Sequence, residues 1–172
     1  MNNPAVAPTP KISGEHGKLF QYYGLFMTLW SVLESVIQAA IMKELAVSAT
    51  KAVIITGKLQ FNPRAQLLAN LLKHSSKPNL EAIALLNKME SFAHRNTIVH
   101  GMMVIGRSDR LTFVKYDGGA SMSRSFTPSD MEKHLEALSD RVERLQALLS
   151  VTDADIQLIG DATMAFVKAA KK

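Results

Sequence analysis

The stretch "SFAHRNTIVHGMMVIG", Ser91 to Gly106, decides how this chain is read. Upstream of it the apolar residues recur at helical spacing: Ala82, Leu85, Leu86, Met89, Phe92 and Ala93 form the stripe of a core-facing helix. Continued by the same steps, the stripe reaches positions 96, 99 and 100, which hold Asn96, Val99 and His100. The spacing therefore predicts one helix from about Leu80 to His100, closed by Gly101, with two polar side chains in places where burial or a subunit contact is expected. An unpartnered buried polar group costs roughly 1–3 kcal/mol, so these positions demand partners. After Gly101 the period changes. "MMVIG", "LTFVKY" and "SMSRSF" are strand-like runs separated by the turn-forming "RSDR" and "DGGA", which predicts a small antiparallel hairpin or meander over about residues 102–126.

Working outward, the segment Leu19 to about Val47 is apolar almost all round the helical wheel, the pattern of a buried helix. Gln21, Thr28, Ser31, Glu34, Ser35 and Gln38 interrupt it, so it reads as a central core helix rather than a membrane span. Asn62-Pro63 is a start signal for the amphipathic "RAQLLANLLKHS", and "SATKAVIITGKLQF" before it reads as a loop or short helix with apolar anchors. Thr127-Pro128-Ser129-Asp130 opens a helix to about Ser150, and Thr152-Asp153-Ala154-Asp155 opens a last one. The proline-rich residues 1–18 read as a disordered lead-in and residues 19–172 as one helical domain.

Composition narrows the chemistry. The 172 residues are 47% hydrophobic and 20% charged, which fits a globular domain. There is no cysteine, which excludes a disulfide framework, a thiolate zinc site and a cysteine nucleophile, and fits a cytoplasmic protein. No His-x3-His, HExxH, G-x-S-x-G or Gly-rich phosphate loop occurs, so no metal and no cofactor are expected. The net charge of +5 suits an anionic partner, although the basic residues are scattered.

Arg95, Asn96 and His100 are the chemically loaded residues. Asn96 and His100 are four apart and share a helix face, and the long Arg95 side chain can curl toward them. A guanidinium offers a fork of donors to phosphate, and an imidazole moves protons near neutrality. Those parts suit RNA cleavage without a metal. The alternative is a histidine capping a helix C-terminus and an arginine paired with a carboxylate such as Glu90 or Glu34.

The run Arg95-Asn96-Thr97-Ile98-Val99-His100 resembles the R-x4-6-H motif of the HEPN superfamily (higher eukaryotes and prokaryotes nucleotide-binding), in which a polar residue follows the arginine. The resemblance implies a mostly α, HEPN-like helical bundle with the β meander inserted after the motif helix. It also implies a metal-independent endoribonuclease of toxin–antitoxin or antiviral type, acting on RNA, with Arg95, Asn96 and His100 as catalytic residues in a composite site between two copies of the chain. An antitoxin or other regulatory protein is then a further partner. A non-catalytic dimeric module binding nucleotide, RNA or a protein is the other reading.

Around this cluster, Glu34 either orients Arg95 or His100 or forms a core salt bridge. Arg107, Arg110, Lys115 and Arg124 are candidates for an RNA-binding surface, single-stranded RNA being the form that offers bases to Phe113 or Tyr116. His94, His74 and His134 are expected at the surface and His16 in the lead-in.

Overall fold

In the computed structural model, residues 14–105, 110–117 and 119–169 are described. The predicted lead-in at 1–13, Arg107 and the last three residues lie outside them. Among the described residues the fold is mostly α with one small antiparallel sheet, in the order α1(Gly14–Glu44), α2(Ala49–Thr56), α3(Phe61–His74), α4(Leu80–Ala93), α5(Arg95–His100), β1(Met102–Ile105), β2(Leu111–Asp117), β3(Ala120–Phe126), α6(Pro128–Leu148) and α7(Asp153–Ala169). The expected mostly α fold with a small antiparallel meander is therefore present, the meander following directly on α5.

The central element is α1, 31 residues long. By length and composition it could cross a membrane. Its apolar residues instead pack inside the protein: Phe26, Trp30, Leu33, Ile37 and Ile41 recur at three- and four-residue steps and are buried. Tyr22 reaches Glu132 on α6, Trp30 meets Phe61 on α3, Gln38 donates to Thr56 on α2, and Lys43 pairs with Asp155 on α7. Near-complete burial of the helix circumference, expected from Leu19 onward, is confined to Val36–Ile41; Gln21, Gly24, Leu25, Thr28 and Ser31 are exposed. Among the described residues the helix runs from Gly14, so His16 and Lys18 are helical, and His16 is buried rather than part of a loose lead-in.

Capping follows the sequence in most places. Thr127 and Asp130 form a reciprocal capping box on α6, and Thr152 and Asp155 make the same two exchanges before α7. At α3 the cap is Gln60, not Asn62, and Pro63 stands third in the helix. Pro63 is tolerated there because the first turn's amides have no partner within the helix. The ambiguous stretch before α3 forms the short α2, capped by Ser48.

The largest departure is at the motif. The predicted single helix is broken at His94, whose φ of 50° and ψ of 25° are left-handed. His94 Oxygen accepts from both Thr97 and Ile98 amides and so begins a new helix. The break resets the helical phase, and α5 buries Thr97 and Ile98. Asn96 and His100, placed where burial or a subunit contact was expected, are not buried within the chain but exposed.

The meander pairs β1 with β2 (Met103 opposite Phe113) and β2 with β3 (Phe113 opposite Arg124, Leu111 opposite Phe126). Residues directly opposite share a face, so Met103, Leu111, Phe113, Lys115, Met122, Arg124 and Phe126 lie on one side of the sheet. Of these, Leu111, Phe113 and Phe126 are buried, whereas Met122 is exposed. Gly101 links α5 to β1 in an extended conformation, and its amide donates to Thr97. A Cβ there would collide with the Thr97 carbonyl oxygen and approach that of Val114 to 3.2 Å. Gly101→Ala is therefore expected to lower stability by about 1–3 kcal/mol, the usual penalty of overpacking, in urea unfolding. A loss under 0.5 kcal/mol would mean that the chain relaxes around the methyl group.

Candidate active site at the elbow between α4 and α5

The elbow places Arg95 at the start of α5 and His100 at its end, and the side chains meet: Arg95 Nη1 lies 2.7 Å from His100 Nε2. A guanidinium only donates, so Nε2 accepts and the neutral ring carries its hydrogen on Nδ1. The Arg95 guanidinium carbon also lies 5.8 Å from the centre of the Trp30 ring, within cation–π range. Arg95 Nε is buried with no acceptor among the described residues. The arginine is thus held between an indole face and an imidazole, with donor capacity left over.

Trp30 is itself fixed. It is 3% exposed, packs against Phe61 at 4.4 Å between centroids, and donates from Nε1 to Glu34 at 3.0 Å. The other Glu34 oxygen lies 3.5 Å from Arg64, whose guanidinium also donates to the carbonyls of Thr56 and Leu59. Glu34 thus forms the core salt bridge, with Arg64. It makes no hydrogen bond or ion pair with Arg95 or His100; Trp30, to which it is bonded, is the residue that also meets Arg95.

The Asn96 side chain makes no hydrogen bond among the described residues. It lines a cleft of about 310 Å³ with Asn62, Glu90, Ser91, His94, Thr97 and Met122. The elbow thus brings Arg95 and His100 into contact and turns Asn96 toward this neighbouring cleft.

The four basic candidates separate. Arg107 lies outside the described residues. Arg110 and Arg124 are exposed near the start of α6 and the elbow, close enough to act electrostatically on Asp130 and His94 respectively. Lys115 lies toward the β2–β3 turn, opposite Met122. Phe113 offers no face to a base: it is fully buried, stacked on Tyr23 at 5.8 Å and edge-on to Phe126. Tyr116 remains 73% exposed.

Two histidines expected at the surface are built into the elbow. Because Thr97 bonds to His94 instead of Ala93, the Ala93 carbonyl is left over, and His134 Nε2 donates to it at 3.2 Å. The His134 ring stacks on His94 with centroids 6.0 Å apart and is ringed by Phe26, Phe92 and Phe126. A signal for His134 existed in the sequence: Met131, His134, Leu135 and Leu138 follow the i, i+3, i+4, i+7 pattern of a buried face. His94 had none, since it lies at the break itself.

Burial holds both rings below the ordinary histidine value, and for His94 the charges of Arg124 and His134 add to the effect. A depressed folded-state value means that the unfolded chain binds protons first. The stability these neutral rings contribute is complete above about pH 6.5 and falls as the pH drops below it. Thermal unfolding is expected to show a lower Tm at pH 5 than at pH 7.5, with a smaller difference in His134→Phe. An unchanged difference would assign the acid sensitivity to other groups.

Among the described residues no three His, Asp or Glu side chains gather to hold a metal ion. No family model matches the chain, and neither a curated protein nor a solved structure is found to resemble it.

Proposed function

We propose that this protein is a metal-independent endoribonuclease of HEPN type, with Arg95, Asn96 and His100 as its catalytic residues and RNA, single-stranded at the cut, as its substrate. The contact that supports this reading most is the 2.7 Å approach of the half-buried Arg95, through Nη1, to Nε2 of the exposed His100. It joins a phosphate-binding fork to a base with a lone pair on Nε2.

A phosphate entering the site competes for the guanidinium, because a charge-assisted bond to an anion is the stronger one. Transfer of Arg95 to phosphate oxygens releases Nε2, which then takes the proton from the ribose 2′-hydroxyl. The 2′-oxygen attacks phosphorus, Arg95 stabilises the charge on the phosphorane, and the P–O5′ bond breaks as an acid protonates the leaving oxygen. One chain supplies one histidine for two proton transfers, so the second is assigned to a second copy facing the first, with the exposed Asn96 orienting the phosphate. A homodimer, a cytoplasmic location and an antitoxin or regulatory partner belong to the same reading.

The Arg95–His100 contact also favours a second reading. It occupies Nε2, as expected if the pair simply steadies a non-catalytic dimeric module that binds nucleotide, RNA or a protein. Incubation of labelled single-stranded RNA with the protein in EDTA separates the two. Products ending in 2′,3′-cyclic phosphate are expected from the nuclease, and intact RNA in the presence of tight RNA binding from the module.

A further inference from the structure

Beside the elbow lies a second cleft, of about 420 Å³, between β3 and the first turns of α6. Phe92, His94, Phe126 and His134 give it an aromatic side, and Arg124 and Lys133 are its cations. Both cations are exposed, and neither makes a hydrogen bond or ion pair with a described residue. The one acidic group in the wall, Asp130, accepts from the Thr127 amide at 3.1 Å and hydroxyl at 2.7 Å; those bonds, with the charges of Arg110 and Lys133, hold it ionised, so it offsets part of the positive charge. His94 lines this cleft and also the one that holds Asn96, and it is the residue immediately before Arg95.

An aromatic wall beside two exposed cations is the arrangement that stacks a base and pairs its phosphate in single-stranded nucleic-acid binding. Resting on the ribonuclease reading for its substrate, we infer that this cleft binds one nucleotide of the RNA strand flanking the scissile phosphate. The base lies against the His94–His134 stack, and Arg124 and Lys133 hold the adjoining phosphate. The strand then runs past His94 to Arg95 and His100. This explains why an imidazole, rather than glycine, stands at a left-handed position.

The test is fluorescence anisotropy with a labelled single-stranded oligonucleotide carrying 2′-O-methyl ribose, which has no nucleophile to be cleaved. Arg124→Ala/Lys133→Ala is expected to weaken binding about tenfold or more. It should also flatten the salt dependence by the release of about one to two phosphate contacts. The double variant Lys51→Ala/Lys73→Ala removes the same charge from α2 and α3, and should weaken binding less than threefold. His94→Asn keeps a residue that tolerates the left-handed conformation, removes the ring, and is expected to weaken binding about tenfold. The inference is overturned if the wild type does not bind the oligonucleotide, or if the Arg124/Lys133 variant binds no worse than the remote one. RNA cleavage by the wild type is read separately. Loss of binding in the cleft variants without any wild-type cleavage would sink the nuclease and keep the nucleotide site, whereas cleavage with unaltered oligonucleotide binding would do the reverse.

Discussion

His100→Ala is expected to lower RNA cleavage by at least about 10²-fold, the lower end of what a positioned acid or base contributes. The fold should hardly notice. His100 is exposed at the last position of α5, and the residues that anchor that helix are Thr97 and Ile98. Substitutions at such surface positions shift stability by about 0.5 kcal/mol or less. Arg95 loses one contact but keeps the Trp30 ring beneath it. Cleavage rates under single-turnover conditions, with Tm measured on the same samples, check both halves. A variant that cleaves within threefold of the wild type would remove His100 from the mechanism. His100→Gln adds a control: it retains a side-chain acceptor for Arg95 but not an imidazole's proton transfer, and should be as inactive as the alanine variant.

The second large effect is expected at Trp30, which links the stability of the bundle to the placement of Arg95. Trp30→Ala should cost about 3–5 kcal/mol, the range for removing a large buried aromatic side chain. It empties the space against Phe61 and Phe26, and leaves Glu34 without its indole donor. Urea unfolding measures the loss, and a change under 1 kcal/mol would show that the ring is not central to packing. Trp30→Phe separates packing from positioning. Phenylalanine fills most of the space, but it lacks the Nε1 donor to Glu34 and offers the guanidinium a weaker π face. Its stability should fall less than that of Trp30→Ala, while cleavage falls through a lower kcat. An intact kcat in Trp30→Phe would mean that the Arg95–His100 contact alone is enough to hold the arginine.

The elements written in local chemistry were legible in the sequence. The capping boxes at Thr127 and Thr152, the amphipathic stripe of α6 and the change to strand character after Gly101 depend on neighbours a few residues apart, and each is found where the residues place it. The nearness of Arg95 and His100 was legible for the same reason, since both lie on one short helix.

Three things were decided only by the tertiary structure. The break at His94 carries no glycine or proline to announce it, and the extrapolated stripe assumed an unbroken advance of roughly 100° per residue. One left-handed residue cancels that assumption, which is why Asn96 and His100 face outward while Thr97 and Ile98 face the core. Glu34 found Arg64 instead of Arg95 because the packing of α3 on α1 sets which cation lies beside it. The stacked His94 and His134 are 40 residues apart in the chain, and they meet because the break frees the Ala93 carbonyl that His134 takes up. The sequence by itself determined most of the helices, the meander and the Arg95–His100 pair, since short-range sterics and hydrogen bonding suffice for those. The direction the pair faces, and the aromatic cleft beside it, came from long-range packing around a single unconventional backbone position.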